Sequence, residues 1–300
     1  MTGRPLFLAV LLGCGLAWGS TQSLGKIAVS TGYGPFGLLF WQFVVGAGLT
    51  GLLLAGRGRT VPVTRPRLAL AAAIAVVGSL IPGTTFYLSV ERLPAGIMSI
   101  LISAVPLLAF PMALALRQDR VSAGRAMGLL CGVLGVALIA GPSSSLPEAG
   151  QAAFIPLALV GPLFYAMESN LVARWGLLGM DPLQVMLMAS LCGAVLVLPL
   201  TLGSGQWIDP VRAWGAAEWA FVAGAAVNVL TYACYVWLAA QAGSTFASQS
   251  SYIVTAAGLV WAMALLGESF PPTIWAALAL MFAGLALVSP RERQPLPERS

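Results

Sequence analysis

Apolar runs of about 20 residues follow one another along almost the whole chain, and each is long enough to cross the hydrocarbon core of a bilayer as a helix. Read between polar breaks, they give ten spans: roughly 6–29, 35–55, 68–90, 94–116, 125–141, 152–175, 182–203, 215–239, 243–267 and 271–289. Lipid cannot satisfy exposed backbone groups and no alternating barrel pattern is present, so every span is expected to be helical. The charge content agrees. Only 8% of the 300 residues are charged, against 59% hydrophobic, whereas a soluble domain carries roughly a quarter charged residues. The first run lies behind Arg4 and has the look of a signal-peptide core, but apolar runs continue to the C-terminus, and it is read as a retained span.

The basic residues set the orientation. With the N-terminus in the cytoplasm, the inner tails and loops hold Arg4, Arg57, Arg59, Arg65, Arg67, Arg117, Arg120, Arg125, Arg174, Arg291, Arg293 and Arg299, and the outer side keeps Lys26, Arg92 and Arg212. Positive charge accumulates on the cytoplasmic side of membrane proteins, so this split of 12 to 3 places both termini inside. The net charge of +5 is read as membrane topology, not as a nucleic-acid surface.

The sequence contains no His, which removes imidazole bases, Ser-His-Asp triads and HExxH metal sites. Cys14, Cys131, Cys192 and Cys234 all lie in apolar runs without CxxC spacing and read as small buried hydrophobes. No catalytic set, metal or cofactor is assigned.

The chain also repeats itself. At a shift of 149 residues Pro106 falls on Thr255, Asp119 on Glu268 and Gly135 on Gly284, and Val-Ala-Leu-Ile at 136–139 falls on Leu-Ala-Leu-Val at 285–288. At a shift of 147, Leu16-Ala17-Trp18-Gly19 parallels Leu163-Phe164-Tyr165-Ala166. Each copy holds five spans, an odd number, so the second copy enters the membrane inverted. The expected organisation is a first repeat over 1–141, a linker over 142–151 and a second repeat over 152–290. The fold class is therefore an all-α membrane protein of ten transmembrane helices in two inverted five-helix repeats, an architecture in which transporters place their sites at the repeat interface.

The motifs resemble the drug/metabolite transporter superfamily, specifically its EamA-type members. They are Ala17-Trp18-Gly19-Ser20 with Lys26 in span one, Leu93-Pro94-Ala95-Gly96 leading to Pro106 in span four, and Leu265-Leu266-Gly267-Glu268 closing span nine. The resemblance implies a central cavity between the halves and transport of small metabolites by alternating access. Three positions depart from the pattern: Gln42 stands where many relatives have Arg, Thr255 where the second repeat often has Pro, and Asp119 in place of the first repeat's usual Glu.

Polar residues concentrate on six spans, at spacings that put each set on one helix face. Span one carries Trp18, Gln22 and Lys26; span three Thr84, Tyr87 and Glu91; span four Ser99, Ser103 and Pro106; span six Tyr165, Glu168 and Ser169; span eight Asn228, Thr231, Tyr232 and Tyr235; span nine Ser244, Ser248, Ser251, Tyr252 and Thr255. Single hydroxyls glue helices together, whereas the combined stripes read as a shared cavity. The candidate substrate-binding residues are Trp18, Gln22, Tyr87, Ser103, Tyr165, Glu168, Asn228, Tyr232, Tyr235, Ser248 and Tyr252. Tyr and Trp mixed with amides suit an amphipathic organic solute. Gly128 and Gly132 form a GxxxG pair read as close packing between neighbouring helices.

Glu168 is the acid deepest within a span, about 9 Å from Arg174 along the helix. It is a candidate proton carrier, a partner for a substrate amine, or a structural hydrogen-bonding group. Lys26 and Glu91 lie near the outer ends of spans one and three, as an ion pair, a gate or snorkelling residues. Asp119 and Glu268 sit at repeat-equivalent helix ends, where capping or pairing is expected. The function read from all this is an inner-membrane exporter of small metabolites such as amino acids, whose partners are the solute and the bilayer, with the oligomeric state open. A receptor or scaffold without flux and a membrane-embedded enzyme are the alternatives.

Overall fold

The computed structural model describes residues 3–117, 122–141, 146 and 150–288. Among these the regular structure is helical throughout. Nine helical segments are long and apolar enough to cross a membrane, and a tenth, Pro272–Val288, has 17 residues, about 25 Å at 1.5 Å per residue. In chain order the spans are Gly3–Val29, Pro35–Gly56, Arg65–Arg92, Ala95–Ala115, Ala123–Ala140, Gln151–Trp175, Pro182–Gly203, Ala216–Ala242, Phe246–Leu266 and Pro272–Val288. They are called spans one to ten. Asp119 and most of the linker lie outside the described residues.

Local chemistry sets the helix ends. Pro35, Pro182 and Pro272 stand in the first turns of spans two, seven and ten, where a missing N–H costs nothing. Asp181 closes a capping box before span seven, accepting from the Leu183 N–H while Gln184 Oε1 accepts from the Asp181 N–H, each at 2.8 Å. Gly267 ends span nine with φ of 67°, the left-handed conformation that glycine takes without strain.

The packing exchanges the two halves. Span one lies against spans eight and nine, and span six, its repeat mate, lies against spans three and four. Span two meets span eight as span seven meets span three. Span two also packs on span seven, span four on span nine, and span five on span ten. Swapping each span for its partner five places along reproduces this pattern, as an inverted five-plus-five architecture requires. Spans five and ten approach most tightly through glycine: a Cβ on Gly128 would come within 2.8 Å of the Gly284 carbonyl, and one on Gly284 within 2.7 Å of the Gly128 carbonyl. Large apolar side chains such as Leu52, Val133 and Val195 are exposed on the outer surface, where lipid replaces water as the solvent.

Two spans depart from a plain α-helix. Span three contains a π-helical turn, Val76–Leu80, between Arg65–Ala75 and Ile81–Arg92. Span nine is interrupted at Gln249, between Ser244–Ser248 and Ser250–Leu266.

Candidate functional site

The structure sorts the six polar stripes into a cluster drawn from spans one, three, six and eight and a packing set on spans four and nine. The cluster begins on span one. The Trp18 indole N–H donates to the Asn228 amide oxygen at 3.1 Å, and its ring centroid lies 5.6 Å from that of Tyr235. Tyr235 and Tyr232 interact electrostatically one turn apart on span eight, and Tyr232 interacts in turn with Glu168 of span six. Glu168 also acts on Tyr165, and Tyr165 on Tyr87 of span three. The Tyr87 hydroxyl donates to Gln42 Oε1 at 3.1 Å. Hydrogen bonds and a ring contact thus join span one to span eight and span three to span two, and Glu168 of span six lies within electrostatic range of Tyr165 and Tyr232.

Trp18, Asn228, Tyr232, Tyr235, Tyr165 and Glu168 are all half-buried, as is Gln22 one turn above Trp18, while Tyr87 is buried. Glu168 faces the interior: a Cβ placed on Gly78 would lie 2.4 Å from its carboxyl carbon and 2.4 and 2.5 Å from its two oxygens. The carboxylate therefore rests directly on the π turn of span three. Such turns are frequent at functional sites because they break the regular ladder of backbone bonds.

The other named residues lie elsewhere. Ser103 is buried and donates to the Ile100 carbonyl of its own helix at 2.6 Å, at the kink before Pro106. The Tyr252 ring meets Phe282 of span ten, centroid to centroid at 5.5 Å. Ser248 is half-buried in the short helix that begins span nine. Ser99 packs against Gly258, on which a Cβ would meet the Ser99 Cβ at 2.5 Å, so spans four and nine are in backbone-level contact there.

Where spans three and four meet, Lys26 Nζ donates to the Glu91 and Leu93 carbonyls at 3.1 and 3.0 Å, while the Glu91 carboxylate meets Arg92 at 3.5 Å. Lys26 therefore engages the backbone end of span three. Glu268 accepts from the Ala95 and Gly96 N–H groups at 2.7 and 3.0 Å, capping span four across the repeat interface. Tyr33 donates to Glu218, Arg212 approaches the same carboxylate at 3.6 Å, and burial together with that carboxylate raises the Tyr33 pKa.

The two ends of the protein differ. From Leu93 to Leu101 every residue at the start of span four is buried. At the repeat-related start of span nine, Gly243 and Gln249 are exposed and Phe246 and Ser248 half-buried, while Ala247 and Ser250 are buried. The start of span four is thus packed more closely than the start of span nine.

Two members of the cluster escape a polarity-based reading. Gln42 shares its largely apolar span only with Thr50 and is marked in the sequence only as a departure from relatives. Gly78 carries no side chain, and its one sequence signal is Pro82 four residues later.

Comparisons with known proteins agree with this architecture. Residues 6–141 and 153–289 each match the EamA-like transporter family. A probable terminal-alkyne amino-acid exporter from Streptantibioticus cattleyicolor is 26% identical over 284 residues, covering 92% of this chain and 91% of its own. A solved crystal structure superposes with a TM-score of 0.64 at 16% identity, over 93% of this chain and 95% of that one, a likeness of fold. The chain is a multi-pass membrane transporter and belongs to the EamA-like transporter family.

Proposed function

We propose that this transporter exports small amphipathic metabolites of the amino-acid type across a bacterial inner membrane, by alternating access, with both termini in the cytoplasm. The observation that carries the reading is the Glu168 carboxylate, half-buried within span six against Gly78 of span three and within electrostatic range of Tyr165 and Tyr232. A charged group at membrane depth is costly, by about 2.5–3.5 kcal/mol on insertion scales, and acids kept there despite that cost mark solute or proton paths. Tyr and Trp faces beside it suit the apolar part of an amino-acid-like solute. The relative named as an amino-acid exporter supports the same solute class, and the basic residues of the inner loops support the orientation.

The experiment is counterflow of a panel of amino acids and related amines in liposomes holding the purified chain, wild type against Glu168→Gln. The amide keeps the shape and removes the charge and the ionisable proton. Normal insertion with loss of most flux is the expected result. If Glu168 carries a proton, the pH dependence of flux disappears in the variant; if it only contacts an amine, apparent affinity weakens instead. Wild-type flux, affinity and pH profile in Glu168→Gln would reject both roles.

A further inference from the structure

The contact between Glu168 and span three reaches further than the presence of an acid. Val76–Leu80 is π-helical, and the Ile81 N–H turns back to the Val76 carbonyl, five residues earlier. The Val77 carbonyl would receive Ile81 in an α-helix or Pro82 in a continuing π-helix. Ile81 is engaged one residue back, and Pro82 has no N–H to give. Neither of those two following residues donates to the Val77 carbonyl. This carbonyl lies next to Gly78, on which the Glu168 carboxylate rests. All five residues of the turn are half-buried, so the turn is not packed away in the core.

We propose that the Glu168 carboxylate and the π turn of span three together form a seat for a primary ammonium group, with the Val77 carbonyl as the second acceptor. The inference rests on the proposed export of amino-acid-type solutes and names the group by which they are held. A primary ammonium has three N–H donors. The carboxylate takes one and the π-turn carbonyl takes another, within electrostatic range of Tyr165 and Tyr232. A quaternary ammonium carries the same charge but no donor, and its methyl groups must fit where the carboxylate lies against Gly78. The seat therefore discriminates among cations by hydrogen bonding and not by charge alone.

Gly78 is the positioning residue. A Cβ there falls on the Glu168 carboxyl group, the far end of a flexible side chain. Alanine is accommodated by swinging that group aside, which leaves the fold intact and dismantles the seat.

The test uses the purified full-length chain in detergent, with n-butylammonium, L-norvaline and the N,N,N-trimethyl derivative of each as probes, and binding read from ligand-induced thermal stabilisation. The primary amines are expected to bind about tenfold or more tightly than their trimethyl counterparts, the usual size of lost charge-assisted hydrogen bonds. Gly78→Ala is expected to melt close to wild type without ligand and to lose that preference. A preference that survives Gly78→Ala, equal binding of trimethyl and primary probes by wild type, or no binding of either primary amine at millimolar concentration overturns the seat. The exporter reading fails separately. Amino-acid flux without primary-amine preference keeps the exporter and removes the seat, while primary-amine binding without flux keeps the seat and removes the exporter.

Discussion

Trp18 and Asn228, 210 residues apart in sequence, are joined by a 3.1 Å hydrogen bond from the indole N–H to the amide oxygen. The bond ties span one of the first repeat to span eight of the second and holds the Trp18 ring against Tyr235. A neutral hydrogen bond contributes about 0.5–1.5 kcal/mol net. Trp18→Phe keeps the aromatic face and loses the donor, and Asn228→Ala removes the acceptor. Each is expected to weaken apparent solute affinity several-fold. The double variant is expected to be no worse than the poorer single one, because both remove the same bond. Strictly additive losses in counterflow affinity would show that the two residues act independently.

Much of the fold is legible in the sequence because membrane insertion imposes a length scale. A run of about 20 apolar residues is a span whatever its neighbours do, and the ten expected spans correspond to the ten observed. The ends are less legible. Span three reaches from Arg65 to Arg92, beyond the expected 68–90, because the aliphatic stem of an arginine tolerates the interface and its polar head reaches water. The site is legible only in part. Helical spacing puts Trp18, Asn228 and Tyr235 on facing sides of spans one and eight, and Trp18 meets both partners. The same spacing cannot separate a hydroxyl that lines a path from one that bonds its own helix, as Ser103 does to Ile100. Nor does it register Gly78, whose contribution is an absent side chain opposite a residue 90 positions away.

The orientation is open to a direct check. Reporter domains fused after Ser300 and within Ser143–Ser145 are expected to report the cytoplasm and the outside respectively, following the 12 to 3 division of basic residues. Both fusions reporting the same side would be incompatible with five spans per repeat.

The spans five and ten interface is expected to tolerate no added methyl group. Alanine at Gly128 or Gly284 places a Cβ within 2.8 or 2.7 Å of the opposing backbone carbonyl, and backbone cannot swing aside as a side chain does. Overpacking of this kind costs about 1–3 kcal/mol, a fall of several degrees in melting temperature for a chain of this size. Gly48→Ala, which meets nothing within 4 Å, is the matched control and is expected to melt like wild type. Equal melting of Gly284→Ala and Gly48→Ala would mean that the two spans separate more easily than their geometry implies.

The corner between spans three and four, which the proposed orientation puts at the outer face, is held from both sides. Lys26 binds the carbonyls that end span three, and Glu268 binds the N–H groups that begin span four. Each charge complements the helix end it meets. Phe270 covers Gly96 beside them. On the same outer halves of spans one, three and four, the Ser23, Ser89 and Ser99 hydroxyls are wholly buried and make no hydrogen bond. An unsatisfied buried hydroxyl costs about 1–3 kcal/mol, so water entering an opened outer mouth would relieve a cost that the clamp now offsets. Removing the clamp is therefore expected to shift the protein toward an outward-open form. In a background with Cys14, Cys131, Cys192 and Cys234 replaced, Ser89→Cys reports that shift through its reaction with a membrane-impermeant thiol reagent added from outside. Adding Glu268→Ala leaves two helix N–H groups without their acceptor, and the labelling rate is expected to rise about tenfold for each 1.4 kcal/mol of clamp energy lost. Ser89→Cys reacting at the same rate with and without Glu268→Ala would show that Glu268 caps span four without holding the outer mouth closed.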